Sequence, residues 1–426
     1  MEGAILLFVI LIVLMMLSVP VGIALGVSTL ITMLMTTDLN VVMIPQYCFR
    51  GLDSFPLMAI PFFMLAGNLM RFGGLSEKLI NLAYSLVAGI KGGLGHVTVL
   101  ACMFFAALSG SAPATVTAIG SNVIPEMVKK GYDRGYATAL TSTAGTIGVI
   151  IPPSIPFVIY GVVSGASIGE LFMAGVFPGI LIGIVLMIVN YFFSRKYGYG
   201  GEGKADFKLF LRELKDAIWA LLVPVIILGG IYGGIFTPTE SAVVAIVYSL
   251  FVGIVIYKKL TLKDIYDAFK DTASMNGTTT FMVGLSMAFA AYLTMAGIPS
   301  AVGSYILSMD AGPVVVLLMV NIVLLIVGCF IDNISSTIIL TPILLPIVES
   351  LGMTPVHFGI VMTVNLAIGF ITPPYGVNLF YGSAIGGITL EQLAKKIVPF
   401  IIAMIFCLAI ITAVPALSLW LPSVMS

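Results

Sequence analysis

Residues 148–178 read GVIIPPSIPFVIYGVVSGASIGELFMAGVFP, and residues 369–399 read GFITPPYGVNLFYGSAIGGITLEQLAKKIVP. A constant shift of 221 positions lays Gly148 on Gly369, Pro152 and Pro153 on Pro373 and Pro374, Tyr160 on Tyr381, Gly165 on Gly386, and Pro178 on Pro399. The same shift carries Pro125 onto Pro346 and Gly131 onto Gly352, with no gap. The chain therefore holds an internal repeat. Each copy sets a Pro-Pro pair inside a strongly apolar segment. Proline lacks the backbone donor and its ring clashes with the preceding turn, so each pair breaks a helix and leaves carbonyls without helical partners.

Composition fixes the broad class. Sixty per cent of the residues are hydrophobic and 9% charged, where a soluble domain has about 25% charged residues. Mean hydropathy is +1.16. Apolar runs of about 18 residues or more recur along the chain, the mark of a polytopic helical membrane protein. A β-barrel would show short alternating segments instead. The opening MEGAILLFVI has no basic region and no small-residue cleavage site, so no cleaved signal peptide is expected. Net charge is zero, which argues for no nucleic-acid partner. The four cysteines (Cys48, Cys102, Cys329, Cys407) form no CxxC and read as buried small hydrophobes. His96 and His357 are not equivalent under the shift, so no paired metal site is expected. HExxH, GxGD and DDxxD are absent, which argues against an intramembrane enzyme.

Residues 4–36 are apolar with Pro20 inside, either one long tilted helix or two pieces. Residues 38–54 carry Asp38, Arg50 and Asp53 and read as interfacial; a span follows at 55–70, then an amphipathic segment at 75–91. Residues 94–130 exceed one span yet are short for two, with SGSAPATV (109–116) in the middle. Two half-helices meeting at a polar tip fit this length: a re-entrant hairpin, tolerated where protein or a water-filled cavity surrounds it. Residues 314–350 repeat the pattern around DNISSTI (332–338). Broken spans follow each hairpin, at 136–165 and 357–386, and then further spans at 172–193 and 397–420. Between the copies lie an aqueous linker (194–217), spans at 218–236 and 240–257, an amphipathic surface helix (258–275), a span at 276–296 and a short segment at 298–310.

Lys and Arg favour the cytoplasmic side. Lys91, Lys129, Lys130 and Arg134 flank the first hairpin, which therefore opens to the cytoplasm. No Lys or Arg occurs from 135 to 194, and six basic residues follow in the linker. From 271 to 394 there is again none, so the second hairpin opens outside and its broken span runs inward to Lys395 and Lys396. Two copies in opposite orientations form an inverted repeat, the architecture of secondary transporters whose site lies near the midplane between discontinuous helices.

Sodium is a hard cation that takes oxygen ligands, which freed carbonyls and Ser, Thr or Asn side chains supply. Half-helix N-termini at the hairpin tips favour an anion. Two cation sites flanking one anion site is the expected arrangement. The first would use Ser109, the carbonyls of Gly148 and Ile151, and the Pro153 neighbourhood; the second would use Asn333 and Ser336 with Gly376 and Leu379. Ser, Thr and Gly at these positions also serve close helix packing, and the prolines also serve as kinks. Asp332 is the one acid placed at membrane depth, with either a functional role or a helix-capping one. Glu170, Glu391 and Glu240 read as helix openers at the membrane faces. No Lys or Arg falls in the expected site, leaving amides, hydroxyls or bound sodium to meet a carboxylate.

At GGIYGGIFTPTESAVVA (229–245), ALSGSAPATVTAIGSNVIPEM (107–127), GTIGVIIPPSIPFVIYG (145–161) and GFITPPYGVNLF (369–380) the chain resembles the large membrane subunit of the tripartite ATP-independent periplasmic (TRAP) transporters. The resemblance covers essentially the whole chain. It implies an all-α, inverted-repeat, elevator-type secondary transporter of the bacterial inner membrane, coupled to Na+ and importing an organic acid. It implies two partners, a periplasmic substrate-binding protein and a small four-helix membrane subunit, the latter expected here as a separate chain. The scaffold would be residues 1–54 and 218–275, and the transport domain 55–193 and 276–426. The tips and breaks become the sodium and substrate positions, with Ser111, Ser154, Asp332 and Tyr375 as substrate contacts. Sialic acid and C4-dicarboxylates are both family substrates, and overall similarity leans to sialic acid. The nearest rival is a stand-alone sodium–dicarboxylate symporter of the same superfamily, which needs no binding protein.

Overall fold

Pro20 settles the first ambiguity. In the computed structural model, which describes residues 2–37, 39–201, 207–308 and 312–425, the N-terminal stretch is two helices, α1 (Glu2–Met16) and α2 (Val21–Thr36). They pack against each other as a hairpin. Pro20 stands at the N-cap of α2, where its missing N–H costs nothing. Asp38 of the segment expected at the interface and Lys204, one of the six basic residues of the expected linker, lie outside the described residues.

The remaining helices follow in order: α3 (Met43–Leu52), a 3-10 turn (Phe55–Met58), α4 (Ala59–Phe72), α5 (Leu75–Val87), α6 (Gly93–Ser109), α7 (Ala112–Lys129), α8 (Arg134–Ala144), a 3-10 turn (Gly145–Val149), α9 (Ile155–Ser164) and α10 (Ile168–Tyr197). Then come α11 (Phe207–Tyr232), α12 (Pro238–Phe251) with a π-helical turn (Val252–Ile256), α13 (Leu262–Met295), α14 (Ile298–Ser308), α15 (Pro313–Gly328), α16 (Asn333–Ser350), α17 (Pro355–Gly369), α18 (Val377–Gly386), α19 (Leu390–Ala413) and α20 (Ala416–Met425). Among the described residues there is no strand. Seven of these helical segments are long and apolar enough to cross a membrane.

The helix pairs expected at 94–130 and 314–350 are α6–α7 and α15–α16. The first turns at Gly110, whose φ of +62° is the left-handed cap that a glycine adopts without strain. The second helix of each pair opens on a side-chain cap at the same repeat position. Ser111 accepts from the Ala114 amide, and Asp332 from the Ile334 and Ser335 amides. Both breaks are present, between α8 and α9 and between α17 and α18, and both Pro-Pro peptides are cis. Glu240 opens α12 through a capping box with Thr237; Glu170 and Glu391 lie in the first turns of α10 and α19.

Three expectations change, the first being that the span at 397–420 divides at Val414 and Pro415 into α19 and α20. The surface helix at 258–275 and the span at 276–296 are one continuous helix, the 34-residue α13. Nothing interrupts it: Thr261 and Asp264 form a capping box at its start, and Gly277 lies in the open with no neighbour where a Cβ would point. The linker expected at 194–217 is shorter, because α10 runs to Tyr197 and α11 begins at Phe207. Its charged residues from 207 onward form the exposed first turns of α11 and not a coil.

The repeats interlock. α9 packs against α16 and α17, and α18 packs against α7 and α8. Each broken helix thus delivers its second half to the other copy. Tyr160 of α9 donates to the Pro355 carbonyl at 2.7 Å, Asn378 Nδ2 of α18 donates to the Ser142 carbonyl at 3.0 Å, and Arg134 donates to the Gly386 carbonyl at 3.4 Å. Gly359 lies against the Tyr160 ring, and Gly382 and Gly386 admit Ser142 and Thr138; the missing Cβ atoms allow the approach. α13 packs against α2, α3 and α4, and α12 packs against α4.

Candidate functional site

The first break and the first tip are in direct contact. The carbonyl of Gly148 has no helical partner because Pro152 stands four residues on. The Ile151 carbonyl loses its partner differently, since the Ile155 amide turns to the tip and donates to the Gly110 carbonyl at 3.3 Å. Val149 is compensated by the Ser154 hydroxyl, which donates to its carbonyl at 2.6 Å while Ser154 caps α9. Gly148 lies so close to the tip that an added Cβ would sit 2.6 Å from the Ser111 carbonyl oxygen. A Cβ on Gly110 would sit 2.8 Å from the Pro153 carbonyl oxygen. On the tip, the Ser109 and Thr115 hydroxyls are 3.0 Å apart, and Thr115 also donates to the Ser111 carbonyl at 2.8 Å.

Ser109, Ser111, Gly148 and Pro153 therefore form one cluster of neutral oxygens at the first tip, with Ile151 and Ser154 in the break beside that cluster. Thr115 belongs to it and was missed, although it lies four residues after Ser111 on the same helical face. Among the described residues no group of three His, Cys, Asp or Glu gathers. Carbonyls and hydroxyls without a thiolate or imidazole suit a hard cation such as sodium.

The second tip and break also meet. Gly328, at the end of α15, packs on Gly369 at the end of α17: a Cβ on Gly369 would sit 2.8 Å from the Gly328 Cα. Phe330 contacts Tyr375 with ring centroids 6.3 Å apart. Asn333 is buried, with Oδ1 accepting from Thr337 at 3.3 Å and Nδ2 left without a partner. Ser336 is buried, and its hydroxyl is 3.5 Å from the Ile331 carbonyl. Gly376 caps α18, and its carbonyl accepts from the amide of buried Leu379 at 2.9 Å. Asp332 uses Oδ2 to cap α16, at 2.9 Å from the Ile334 amide, while its buried Oδ1 has no partner. Tyr375 is largely exposed. The expected capping role of Asp332 is thus observed, and half of its carboxylate remains unused by it.

A cavity of about 310 Å³ lies beside the first tip. One wall is Phe105, Ser109, Ser111, Pro113, Ala114 and Thr117 of the α6–α7 hairpin; the other is Met64, Gly67, Asn68 and Arg71 of α4 with Asp271, Ser274 and Met275 of α13. Tyr381 of α18 completes it. Tyr381 is 44% exposed, whereas its repeat mate Tyr160 is buried, so the two copies present different surfaces. The second tip is closed on α13, where the Ser286 and Ser335 hydroxyls are 3.3 Å apart. Arg71 corrects the expectation of a site without a cation: it lines the cavity and pairs with Asp271 at 3.1 Å. It stands one residue beyond the span expected at 55–70, and only the approach of α4 to α6 brings it to the site.

A family model described as the tripartite ATP-independent periplasmic transporter, DctM component, matches residues 8–417. The isethionate TRAP transporter permease protein DctMQ of Oleidesulfovibrio alaskensis is 46% identical over 94% of this chain, which spans 64% of that relative's length. The C4-dicarboxylate TRAP transporter large permease protein DctM of Pseudomonas aeruginosa is 42% identical over 94% of both chains. The sialic acid TRAP transporter large permease protein SiaM of Vibrio cholerae is 39% identical over 95% of this chain and 94% of its own. Among solved structures, the YdaH transporter of Alcanivorax borkumensis aligns with a TM-score of 0.58 at 14% identity over 88% of each chain. MtrF of Neisseria gonorrhoeae aligns with a TM-score of 0.57 at 13% identity, over 89% of this chain and 84% of its own. These two are likenesses of fold.

Proposed function

Since the chain belongs to the tripartite ATP-independent periplasmic transporter family as its DctM component, an integral membrane transport permease and not an enzyme, we propose that it is the large subunit of a sodium-coupled importer of small organic acids. A periplasmic binding protein delivers the acid, and a small four-helix membrane subunit completes the complex. The reading rests on one observation above the rest: a helix break whose carbonyls lie against a hydroxyl-rich hairpin tip in the first copy, answered in the second by a break packed on its own tip through Gly328 and Gly369, in an interlocked repeat.

Sodium binds at the two tip–break clusters, Ser109 with Gly148, Ile151 and Pro153, and Asn333 and Ser336 with Gly376 and Leu379. It supplies the coupling free energy. The acid sits between the tips, against Ser111, Ser154, Asp332 and Tyr375. Relatives named for sialic acid, C4-dicarboxylates and isethionate share an acidic group on a small polar body, and that is the cargo class proposed here.

The movement is an elevator. Residues 1–54 and 218–275 form the fixed body, joined by α4 and the rest of α13 because α13 packs on α2, α3 and α4. The two re-entrant hairpins and broken helices slide against it. By the charge pattern the first hairpin opens to the cytoplasm, so a cavity at the first tip and a second tip closed on α13 correspond to the inward-facing arrangement.

The test is uptake of labelled succinate, N-acetylneuraminate and isethionate into proteoliposomes holding the chain with its small subunit. Each acid is offered with and without its binding protein, and with and without an inward sodium gradient. Uptake of one acid requiring both is expected. Uptake without any binding protein favours the stand-alone symporter, and indifference to sodium overturns the cation clusters.

A further inference from the structure

The cavity at the first tip has two charged side chains in its lining, Arg71 and Asp271, to which the reading above assigns no task. We propose that Arg71 is the release-side contact for the substrate's acidic group, and that Asp271 is the competitor that takes Arg71 back and frees the acid. This rests on the organic-acid reading of the preceding subsection.

Four observations carry it. First, Arg71 faces the α6–α7 wall that holds Ser109 and Ser111. The N-terminus of α7 favours an anion there, so an acidic group leaving it enters a cavity in which Arg71 is the lining cation. Second, the pair is made to be exchanged. It runs through a single nitrogen, Nη2, to Oδ2, whereas a guanidinium has donors enough to hold a carboxylate by two parallel bonds. The side chains are 33% and 49% exposed, and a pair this solvated is weak. Third, the wall does not need the pair. Asn68 Nδ2 donates to Thr272 Oγ1 at 2.9 Å, tying α4 to α13 beside it. Fourth, the guanidinium is oriented before any ligand arrives, because it lies 4.2 Å from the centroid of the Phe72 ring.

Chemically the exchange moves no proton and breaks no covalent bond. One carboxylate replaces another on Arg71, and Asp271 returns when the acid departs into water. Arg71 alone would trap the anion, and Asp271 alone would repel it. Together they give contact with release.

The experiment uses the same proteoliposomes and three acids, with Arg71→Gln, Arg71→Lys, Asp271→Asn and the exchange variant R71D/D271R. Arg71→Gln is expected to cut uptake about tenfold or more, the loss of a charge-assisted contact. Its sodium dependence and melting temperature stay at wild-type values, and Arg71→Lys recovers part of the rate. Asp271→Asn is expected to lower the half-saturating concentration of internal acid in counterflow severalfold, because the competitor is gone. The exchange variant separates contact from scaffolding: it restores the ion pair yet puts the cation on the wrong helix, so uptake stays low. Recovery by the exchange variant, or Arg71→Gln uptake within about twofold of wild type, overturns the proposal. A wild type that takes up none of the three acids instead overturns the organic-acid reading, and this inference with it.

Discussion

Gly148→Ala tests whether the contact between tip and break shapes a cation site. The backbone at Gly148 lies in a 3-10 turn with no positive φ, so alanine is conformationally acceptable and the effect is steric. Its Cβ would press first on the Thr115 hydroxyl and would lie 2.6 Å from the Ser111 carbonyl oxygen and 3.0 Å from the carbonyl carbon. Relief requires the tip to withdraw by roughly half an ångström, and overpacking of this kind costs about 1–3 kcal/mol. The withdrawal separates the Ser109 and Thr115 hydroxyls from the carbonyls of the break. A penalty of about 2 kcal/mol falling on the sodium-bound state is about a 30-fold loss of sodium affinity. The assay is initial uptake rate against sodium concentration at saturating substrate and binding protein, paired with thermal unfolding of the purified chain. A control is Gly169→Ala, whose Cβ meets Ile231 at an ordinary 3.5 Å and should change neither readout. A folded Gly148→Ala protein that half-saturates at the wild-type sodium concentration would refute the reasoning.

Three further outcomes are expected. Gly131 and Gly352 are repeat mates, both at φ +85° with open space where a Cβ would go; alanine at either should destabilise by about 1–2 kcal/mol through backbone strain alone, and matched shifts in thermal unfolding would show it. Asp332→Asn keeps an oxygen for the Ile334 and Ser335 amides, so the melting temperature should hold while uptake falls about tenfold or more for want of the charge on Oδ1; unchanged uptake would reduce Asp332 to a cap. The double substitution S286C/S335C places two thiols where hydroxyls lie 3.3 Å apart, so mild oxidation should block uptake until reductant is added; an oxidised, cross-linked protein that still transports would end the elevator proposal.

The helix pairs and breaks were legible because each depends on local chemistry. Gly110, Ser111 and the two Pro-Pro pairs act on neighbours within a few residues, and the 221-residue shift doubled every signal. The continuity of α13 was not legible, since an amphipathic start and an apolar continuation read as two environments although no residue between them breaks the helix. Arg71 was missed for the opposite reason. Its meaning depends on contacts some 200 residues away, the Asp271 pair among them, and no periodicity in its own segment reports them. Tyr381 belongs with it: the shift makes it the equal of Tyr160, and only the packing of α18 across the repeats shows one in a cavity and the other buried.

The exchange of α9 and α18 between the copies bears on how the protein comes into being. The Ser142 carbonyl waits for Asn378, 236 positions later, and Arg134 waits for Gly386. A ribosome therefore delivers the first hairpin and the first half of its broken helix long before their walls exist. Neither repeat encloses its own site, so neither is a separable module, and a chain stopped before α18 leaves the faces of α7 and α8 uncovered. Duplication built this architecture from two copies, but their interlocking makes α18 of the second copy a condition for the first site to close.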